Sequence, residues 1–391
     1  MTFGHAIPSV ATPWASAVPW RRPGELVTKV SAGRTRDQGD DVTAVRSASV
    51  AIPASVMAEL EGAGIVLGPT LDRVETLLTE QVKSSQAFVN QTAEYLITAG
   101  GKRFRPMLVA LSAHLGDPTV PGIVPAAAIV ELVHLATLYH DDVIDEAPAR
   151  RGVASANARW DNTVAILTGD FLFARASELS AELGVEVTRI MARTLAALCE
   201  GQIAEVQGSA GALPPDVPRL EPTVEHYLTV IAGKTASLVA TSCRYGTLLA
   251  GCPPEVVEAA TTYGWNVGMA FQLSDDILDV ASDHEDSGKT PGTDLLEGVR
   301  TLPVAFALED DPDGRFAALV DDGVVAPDDL DEALALLRGS DALGRAREAA
   351  GDYVDTAHLH LEEMADHLPD DRMAAVGAMA SLASYSLDRV G

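Results

Sequence analysis

From about Pro69 to its end, this 391-residue chain repeats apolar side chains with the 3.6-residue period of an α-helix. Thr70 is a suitable N-cap for the first repeat, which consists of Leu71, Val74, Leu77, Leu78 and Val82. Similar stretches follow at 85–99, 104–115, 122–146, 161–182, 185–208, 223–250, 254–283, 300–308, 328–337, 341–366 and 371–389. We find no set of apolar–polar alternations of the kind that paired strands produce. The sequence therefore predicts an all-α fold of roughly a dozen helices around a buried centre.

The first 55 residues differ from the rest of the chain. They are rich in Ala, Pro, Ser and Val and have no sustained periodicity, which predicts a disordered N-terminal extension over residues 1–55. A true translation start near Met57 would explain them as well. The alternation at 42–52 would suit a strand, but a single strand has nothing to pair with. Because no linker interrupts the helical pattern, we expect residues 60–391 to form a single domain.

The charge of the chain limits its partners. It carries 56 acidic and 28 basic residues, a net charge of −28, so a polyanion such as DNA or RNA would be repelled. No cationic start followed by an apolar run is present, which argues against a signal peptide. Three cysteines without CxxC spacing or histidine partners are typical of a reducing compartment; they are Cys199, Cys243 and Cys252. We expect a cytoplasmic protein that binds no nucleic acid.

The most apolar stretch, Ile123 to Tyr139, is interrupted by Pro125, Glu131 and His134. Such interruptions are typical of a buried helix in a water-soluble protein and not of a membrane span. We therefore expect at most peripheral contact with a membrane.

This apolar helix ends in the first of two acidic motifs, Asp141-Asp142-Val143-Ile144-Asp145. Residues i and i+4 share a helix face, so Asp141 and Asp145 stack with Asp142 beside them. Carboxylates about 6 Å apart repel by roughly 3 kcal/mol per pair at an effective dielectric constant of 20. Such a group either raises its pKa values or holds a cation. Oxygen ligands alone favour Mg²⁺, which keeps waters and prefers substrate phosphates, although one acidic triad can also be a solvated surface.

The same spacing recurs after a second apolar helix, in Asp275-Asp276-Ile277-Leu278-Asp279. Two triads that each close a buried helix are not expected of solvated surfaces. We expect them to form opposing walls of one central cavity and to share Mg²⁺ ions.

Three of the five lysines in the chain lie near these triads or in a glycine-rich turn. Lys102 belongs to the turn GGKRFRP at a helix start, Lys234 precedes the second triad, and Lys289 follows it. Arg150 and Arg151 come shortly after the first triad. A glycine-initiated turn at a helix start is a good anion site. Together these cations predict a di-anionic phosphorylated ligand.

The order of these motifs resembles the trans-isoprenyl diphosphate synthases, from about residue 70 to the C-terminus. The matching segments are GGKRFRP at 100–106, DDVIDEAPARRG at 141–152, GKT at 233–235, FQLSDDILD at 271–279 and GKTPGTDLLEG at 288–298. The segment ELVHLATLYH at 131–140 is similar to the long-chain polyprenyl branch. The resemblance implies an isoprenoid synthase fold, all-α with one central cavity, and a homodimer.

The resemblance also implies a role for each matching residue. Three Mg²⁺ ions, with Mn²⁺ as a substitute, would hold the allylic diphosphate on Asp141, Asp142, Asp145, Asp275 and Asp279. Isopentenyl diphosphate would be bound by Lys102, Arg105, His134 and Arg151. The allylic diphosphate would also contact Arg150, Lys234, Thr235, Gln272 and Lys289. Catalysis would depend on Asp141, Asp142, Asp145, Asp275, Asp276 and Lys234.

The implied reaction is a head-to-tail condensation. Cations stabilise the departing diphosphate, so the allylic C–O bond ionises to a carbocation. The double bond of isopentenyl diphosphate attacks this carbocation, and the released diphosphate takes up the proton that is lost. An apolar cavity suits such a reaction because it shields the carbocation from water.

The residues before the first triad bear on product length. Ala136 and Thr137 lie five and four residues before Asp141, about 6–8 Å along the helix axis. Short-chain members of the family close the cavity there with aromatic side chains. The small residues therefore predict a long-chain product of about C35–C50. Alternatively, Ala136 packs a tight helix crossing and has no such role.

Three other functions need comparison with this one. The dipeptide His140-Asp141 also occurs in metal phosphohydrolases, but these need further histidine ligands that no motif here supplies. A terpene cyclase on the same fold would not need Lys102, Arg105 and His134. A non-catalytic subunit of a heteromeric synthase would usually lose aspartates or cations that this chain keeps. We therefore expect a Mg²⁺-dependent all-trans polyprenyl diphosphate synthase.

Overall fold

The computed structural model describes residues 54–209, 217, 220–281, 291–321 and 324–388. Within these ranges the chain forms seventeen α-helices: α1 Ala54–Gly62, α2 Gly68–Gln81, α3 Ala87–Thr98, α4 Phe104–Ala113, α5 Ile123–Ile144, α6 Ala156–Arg159, α7 Asn162–Glu182, α8 Val185–Gly208, α9 Val224–Ile231, α10 Ser237–Leu249, α11 Pro254–Ala281, α12 Thr293–Glu297, α13 Leu302–Asp310, α14 Arg315–Leu319, α15 Leu330–Arg338, α16 Ala342–Ala365 and α17 Met373–Asp388. The strands are β1 Ala149–Arg150, β2 Val153–Ala154, β3 Val320–Asp321 and β4 Val324–Val325. The predicted all-α class is confirmed. Residues 1–53 of the predicted extension and Lys289 lie outside the described residues.

Helix α5 lies at the centre of the fold. It packs against α2, α4, α7 and α10, while α11 packs against α10 and α16. By length and composition α5 could cross a membrane, but 72% of its most apolar 18-residue window is buried by the rest of the protein. This burial is the pattern of a core helix, which is what the interrupted apolar stretch predicted.

The predicted helix at 223–250 contains a wider turn that periodicity did not indicate. Helices α9 and α10 are joined by a π-helical turn, Ala232–Ala236, of a kind often found at functional sites. Here the backbone of Gly233 lies directly against α8. A Cβ atom on Gly233 would be 2.8 Å from the Cα of Gly201, and one on Gly201 would be 2.8 Å from the amide nitrogen of Lys234. Only glycine permits this approach.

Helix α1 was not predicted. Its nine residues are too few for a clear repeat, yet Leu60 is only 1% exposed, and Ile65 and Leu67 after it are also buried. They join a core cluster with Met379 and Leu382 of α17. The folded part therefore begins before residue 60.

A β-hairpin whose strands have two residues each follows α5, although we predicted no strands. β1 pairs with β2 in antiparallel register, Arg150 opposite Val153. Arg151 and Gly152 both have positive φ, 52° and 76°, as a type I′ turn requires. Strands this short leave no alternation in the sequence. The turn presents two consecutive arginines beside the end of α5.

Candidate active site

The first triad lies at the C-terminal end of α5. Asp141 is partly buried and Asp145 is exposed, whereas Asp142 is fully buried. The Oδ1 atom of Asp142 accepts a hydrogen bond from Arg150 Nε at 2.6 Å. Asp141 and Asp145 are therefore accessible to a ligand, while Asp142 faces the hairpin.

The carboxylates of the first triad are harder to ionise than carboxylates in water. Burial raises the pKa of Asp141 to about 6, and the charges of Asp145 and Glu205 add to the rise while Lys234 opposes it. Partial burial also raises the pKa of Asp145. Carboxylates that resist ionisation are stabilised by an added cation. An all-oxygen donor set of this kind fits Mg²⁺.

The second triad, on α11, has the same arrangement. Asp275 and Asp279 are partly exposed and share a face, while Asp276 is 5% exposed. Asp276 accepts hydrogen bonds from the Tyr227 hydroxyl and from Gln272 Nε2, the latter at 2.8 Å. Burial raises the pKa of Asp276 to about 7, against the effect of these two donors. In both triads the middle carboxylate is buried and held by its own donors.

Glu297 lies near a carboxylate of each triad. Partial burial raises the pKa of Glu297, on α12, and the charges of Asp145 and Asp279 raise it further. The Glu297 carboxylate therefore interacts with a member of each triad, as expected if the two triads form opposing walls of one cavity. Among the described residues no three His, Cys, Asp or Glu side chains are close enough to hold one metal ion by themselves. A bound ion would need ligands from a diphosphate and from water, as Mg²⁺ prefers.

Lys234 of the π-helical turn forms an ion pair with Glu205 of α8. Gln202 Nε2 donates a hydrogen bond to the same carboxylate at 2.9 Å. Burial lowers the pKa of Lys234, but the charges of Glu205, Asp141 and Asp145 outweigh it, so the pKa is raised. The ammonium is thus held charged beside the first triad. Glu205 was missed by sequence reasoning, although its spacing of four from Gly201 places both on one face of α8.

Two further residues predicted to bind the allylic diphosphate contact each other. Thr235 Oγ1 donates a hydrogen bond to Gln272 Oε1 at 2.9 Å, so the π-helical turn is joined to α11. Through Gln272 this contact continues to Asp276. Glu297, like Glu205, was missed by sequence reasoning; the only signal is its place in the segment 288–298.

A second cluster, rich in arginine, surrounds His134. Burial lowers the pKa of His134 well below its usual value, and the charges of four arginines lower it further: Arg105, Arg151, Arg103 and Arg150. Burial also lowers the pKa of Arg105 to about 10. The buried Nε of Arg105 has no hydrogen-bond partner among the described residues. A pocket with surplus positive charge and an unsatisfied donor fits an anion.

The arginines of this cluster are fixed by carboxylates and carbonyls. Arg103 adopts a positive φ of 48° and is 4% exposed. It forms ion pairs with Glu75 and with Glu131, the latter at 2.8 Å. Arg151 donates to the carbonyl oxygens of Leu96, at 3.0 Å, and Gly100. Arg103, one of three cations in the GGKRFRP turn, is therefore structural, whereas Lys102 of that turn is exposed.

A cavity of about 260 Å³ lies between α5, α7 and α8. Polar residues line one part of it: Asp141, Gln202 and Lys234. Most of the remaining wall is apolar: Ile144, Phe173, Leu195, Leu198, Cys199 and Ile203, with Thr137 and His140 from α5.

The comparison with known proteins identifies the family. The polyprenyl synthetase family profile matches residues 86–337. The chain belongs to the polyprenyl synthetase family. It is thus a prenyltransferase with the isoprenoid synthase fold, as the order of its motifs implied.

Individual relatives cover most of this polyprenyl synthetase. The nonaprenyl diphosphate synthase of Mycobacterium tuberculosis is 42% identical over 82% of this chain and 92% of its own length. The heptaprenyl diphosphate synthase component 2 of Geobacillus stearothermophilus is 38% identical over 82% of this chain and 95% of its own. The polyprenyl synthase of Caulobacter crescentus, solved with calcium and isoprenyl diphosphate, superposes with a TM-score of 0.74 at 32% identity. It covers 89% of this chain and all (100%) of its own.

The chain-length residues predicted for this polyprenyl synthetase occupy different places. Thr137 lines the cavity, but Ala136 does not. Ala136 is fully buried, and its carbonyl oxygen would lie 3.1 Å from a Cβ atom on Gly169 of α7. Ala136 therefore sits at the tight helix crossing that was the alternative to a chain-length role, and that role stays a prediction.

Proposed function

We propose that this polyprenyl synthetase is a Mg²⁺-dependent all-trans polyprenyl diphosphate synthase that adds isopentenyl diphosphate to an allylic diphosphate. One observation carries the proposal: the first aspartate triad and an arginine-rich pocket meet at the hairpin of Arg150 and Arg151, and Glu297 lies near a carboxylate of each triad. A carboxylate site for metal-bound diphosphate and a cationic site for a second anion are what this condensation needs.

The residues of the first site would hold and orient the allylic substrate. Mg²⁺, when bound, supplies positive charge that stabilises the departing diphosphate. Asp141, Asp145, Asp275 and Asp279 would hold the metal, since these carboxylates are at least partly accessible. Lys234, kept charged by Glu205, adds positive charge beside Asp141.

The second site and the cavity complete the reaction. Arg105, His134 and Arg151 would bind isopentenyl diphosphate, with Lys102 reaching it from the surface of the same turn. The allylic C–O bond breaks, the isopentenyl double bond attacks the carbocation, and the released diphosphate takes the proton. The apolar wall below Asp141 excludes water from the carbocation and accepts the growing chain.

A long-chain product is supported by two observations. Two of the relatives named above are a nonaprenyl diphosphate synthase and a component of a heptaprenyl diphosphate synthase. In this chain, the cavity wall has a small side chain at Thr137, where short-chain members of the family carry an aromatic one. We therefore propose a product of about C35–C50.

The assembly and location follow from the same proposal. We propose a cytoplasmic homodimer that contacts membranes at most peripherally and uses Mn²⁺ as a substitute metal. One relative is named as a component of a heptaprenyl synthase, so a heteromeric assembly is the alternative. Light scattering gives the mass of the protein purified alone and of the complex purified from its host. A homodimer has twice the mass of this chain in both samples, whereas a heteromer appears only in the second.

A product assay tests the activity. The purified protein is incubated with Mg²⁺, labelled isopentenyl diphosphate and farnesyl or geranylgeranyl diphosphate, and chain length is read after dephosphorylation. We expect a C35–C50 product from the wild type. Asp141→Ala and Asp275→Ala should each lose at least about a hundredfold in rate, because each leaves bound metal a ligand short. The control is Asp331→Ala, which removes an exposed carboxylate on α15. Cyclised hydrocarbon without elongation would indicate a terpene cyclase instead.

A further inference from the structure

Tyr227 lies close to the second triad and has no role in the reaction as described so far. It is on α9, which begins after Thr223, whose hydroxyl caps the helix by accepting the His226 amide at 3.1 Å. Tyr227 is only 6% exposed, so its hydroxyl is removed from water. A buried hydroxyl needs a partner, and here the partner is the carboxylate of Asp276.

The contact is part of a chain of hydrogen bonds that joins two helical segments. Tyr227 donates to one oxygen of Asp276, and Gln272 Nε2 donates to the other at 2.8 Å. The Oε1 atom of Gln272 in turn accepts from Thr235 at 2.9 Å. The segment that carries Tyr227 and Thr235 is therefore fastened to α11 at two points. Both points lie within one turn of Asp275.

This fastening holds the face of α11 that carries Asp276 against α9, in addition to the packing of α11 against α10 and α16. Asp276 points toward α9, whereas Asp275 and Asp279 share another face of α11, and Asp279 Oδ2 accepts a hydrogen bond from the Asp294 amide of α12 at 3.2 Å. If Asp276 were released, α11 could turn or fray at this level, and the two carboxylates would lose their common direction. In the first triad the middle aspartate is held in a similar way, because Arg150 donates a hydrogen bond to Asp142.

We propose that Tyr227 is a positioning residue that acts through Asp276 to aim Asp275 and Asp279 at the metal and diphosphate. The proposal rests on the proposed function, because it assigns metal binding to those two aspartates. It also separates the members of the triad: Asp276 serves as an anchor and not as a ligand.

The test removes one oxygen atom, in Tyr227→Phe. Mn²⁺ binding is measured by electron paramagnetic resonance with inorganic pyrophosphate present, and the Mg²⁺ dependence of elongation is measured separately. We expect Mn²⁺ affinity to fall about tenfold, as for other residues that orient metal ligands. The Mg²⁺ concentration for half-maximal rate should rise by a similar factor, while the KM for isopentenyl diphosphate stays unchanged.

Two matched controls remove the same atom elsewhere. The hydroxyls of Tyr245 and Tyr263 are also buried and donate to carbonyl oxygens, of Val187 at 2.8 Å and Met379 at 2.7 Å. Tyr245→Phe and Tyr263→Phe should lower the unfolding temperature without changing metal affinity. If Tyr227→Phe behaves like these two, Tyr227 is only structural and the proposal is wrong.

A second variant changes Asp276 directly, and it tests the proposal even if Tyr227→Phe does not fold. Asp276→Asn keeps the side-chain shape and one acceptor for Tyr227, and the Gln272 amide can turn to match it. We expect its Mn²⁺ affinity to stay within about threefold of wild type, in contrast to Asp275→Asn, which loses a direct ligand. An equal loss in both variants would make Asp276 a ligand and overturn the proposal. Because Mn²⁺ binding needs no turnover, this outcome is independent of whether the wild type elongates.

Discussion

His134 is placed where an anion would change its charge. Burial and four neighbouring arginines hold its pKa well below the usual value, so the free enzyme carries it neutral at pH 7. A diphosphate bound among these arginines would offset their charge and raise the pKa of His134 toward or above its ordinary value of about 6.5.

We therefore predict that binding of isopentenyl diphosphate takes up a proton at pH 6.5. Calorimetry in two buffers of different ionisation enthalpy measures the uptake directly. Since His134 gains the proton only when its pKa rises, the uptake should shrink as the pH is raised to 8.5. His134→Gln serves as the control and should lose most of it. Equal uptake in this variant would assign the proton to the diphosphate or to another group.

At the residue scale, the sequence predicted which aspartates share a helix face but not what each of them contacts. Spacing places Asp141 and Asp145 on one face. It says nothing of what the middle aspartate meets, because Arg150 and Tyr227 reach Asp142 and Asp276 only in the folded chain. Glu205 was unpredictable for the same reason, since it becomes functional only by pairing with Lys234.

Among the helices, the crossing of α8 with the π-helical turn controls where Lys234 points. Gly201 and Gly233 touch through their backbones, so a methyl group there must push the two segments apart. We predict that Gly201→Ala costs about 1–3 kcal/mol of unfolding free energy and lowers kcat at least about tenfold by displacing Lys234.

Gly344→Ala is the matched control for this prediction. Gly344 lies in α16 and a Cβ atom there meets nothing within 4 Å. Removing backbone freedom at such a site stabilises a helix by about 0.5–1 kcal/mol, so denaturant unfolding should show opposite signs for the two variants. A Gly201→Ala protein with normal stability and kcat would contradict the prediction.

The wall that α7 contributes to the cavity should affect product length. Phe173 lines the cavity and meets His140 edge-on, with ring centroids 5.6 Å apart. It lies one turn beyond Gly169, which packs closely against Ala136 and His140, and Thr137 lines the same cavity. We predict longer products from Phe173→Ala and shorter ones from Thr137→Phe, by one or more C5 units in chromatography of the dephosphorylated products.

Phe171 provides the control for the cavity wall. It lies on the same helix, packs against the same core cluster, and does not line the cavity. Phe171→Ala should leave the product distribution unchanged. If Phe173→Ala also leaves it unchanged, the chain does not pass this ring.

At the element scale, helix bounds were predicted closely where the repeat was long. The predicted helices 161–182 and 341–366 agree within one residue at each end with α7 and α16. The π-helical turn escaped prediction because nearly every residue of α10 is buried, which leaves no narrow apolar stripe in which a shift of phase would show. The β1–β2 hairpin escaped because two residues cannot show an alternation.

For the whole molecule, we propose that the folded domain includes α1, Ala54–Gly62. A protein that starts at residue 54 should unfold at the same temperature as the full chain. One that starts at Pro69 loses the buried Leu60, Ile65 and Leu67 and exposes the face of α17 that they cover. We predict a loss of roughly 3 kcal/mol or more, measured by thermal and denaturant unfolding. Equal stability of the two truncations would show that α1 is dispensable.

The hairpin after α5 has a consequence for how this protein can change over evolution. Arg150 serves the first triad and Arg151 serves the arginine-rich pocket, and their Cα atoms are only about 3.8 Å apart because one peptide bond joins them. An insertion between β1 and β2 would displace both sites at once and could not be repaired by a change at either. Descendants of this chain can therefore remodel the cavity for a different product while the length of this turn stays fixed.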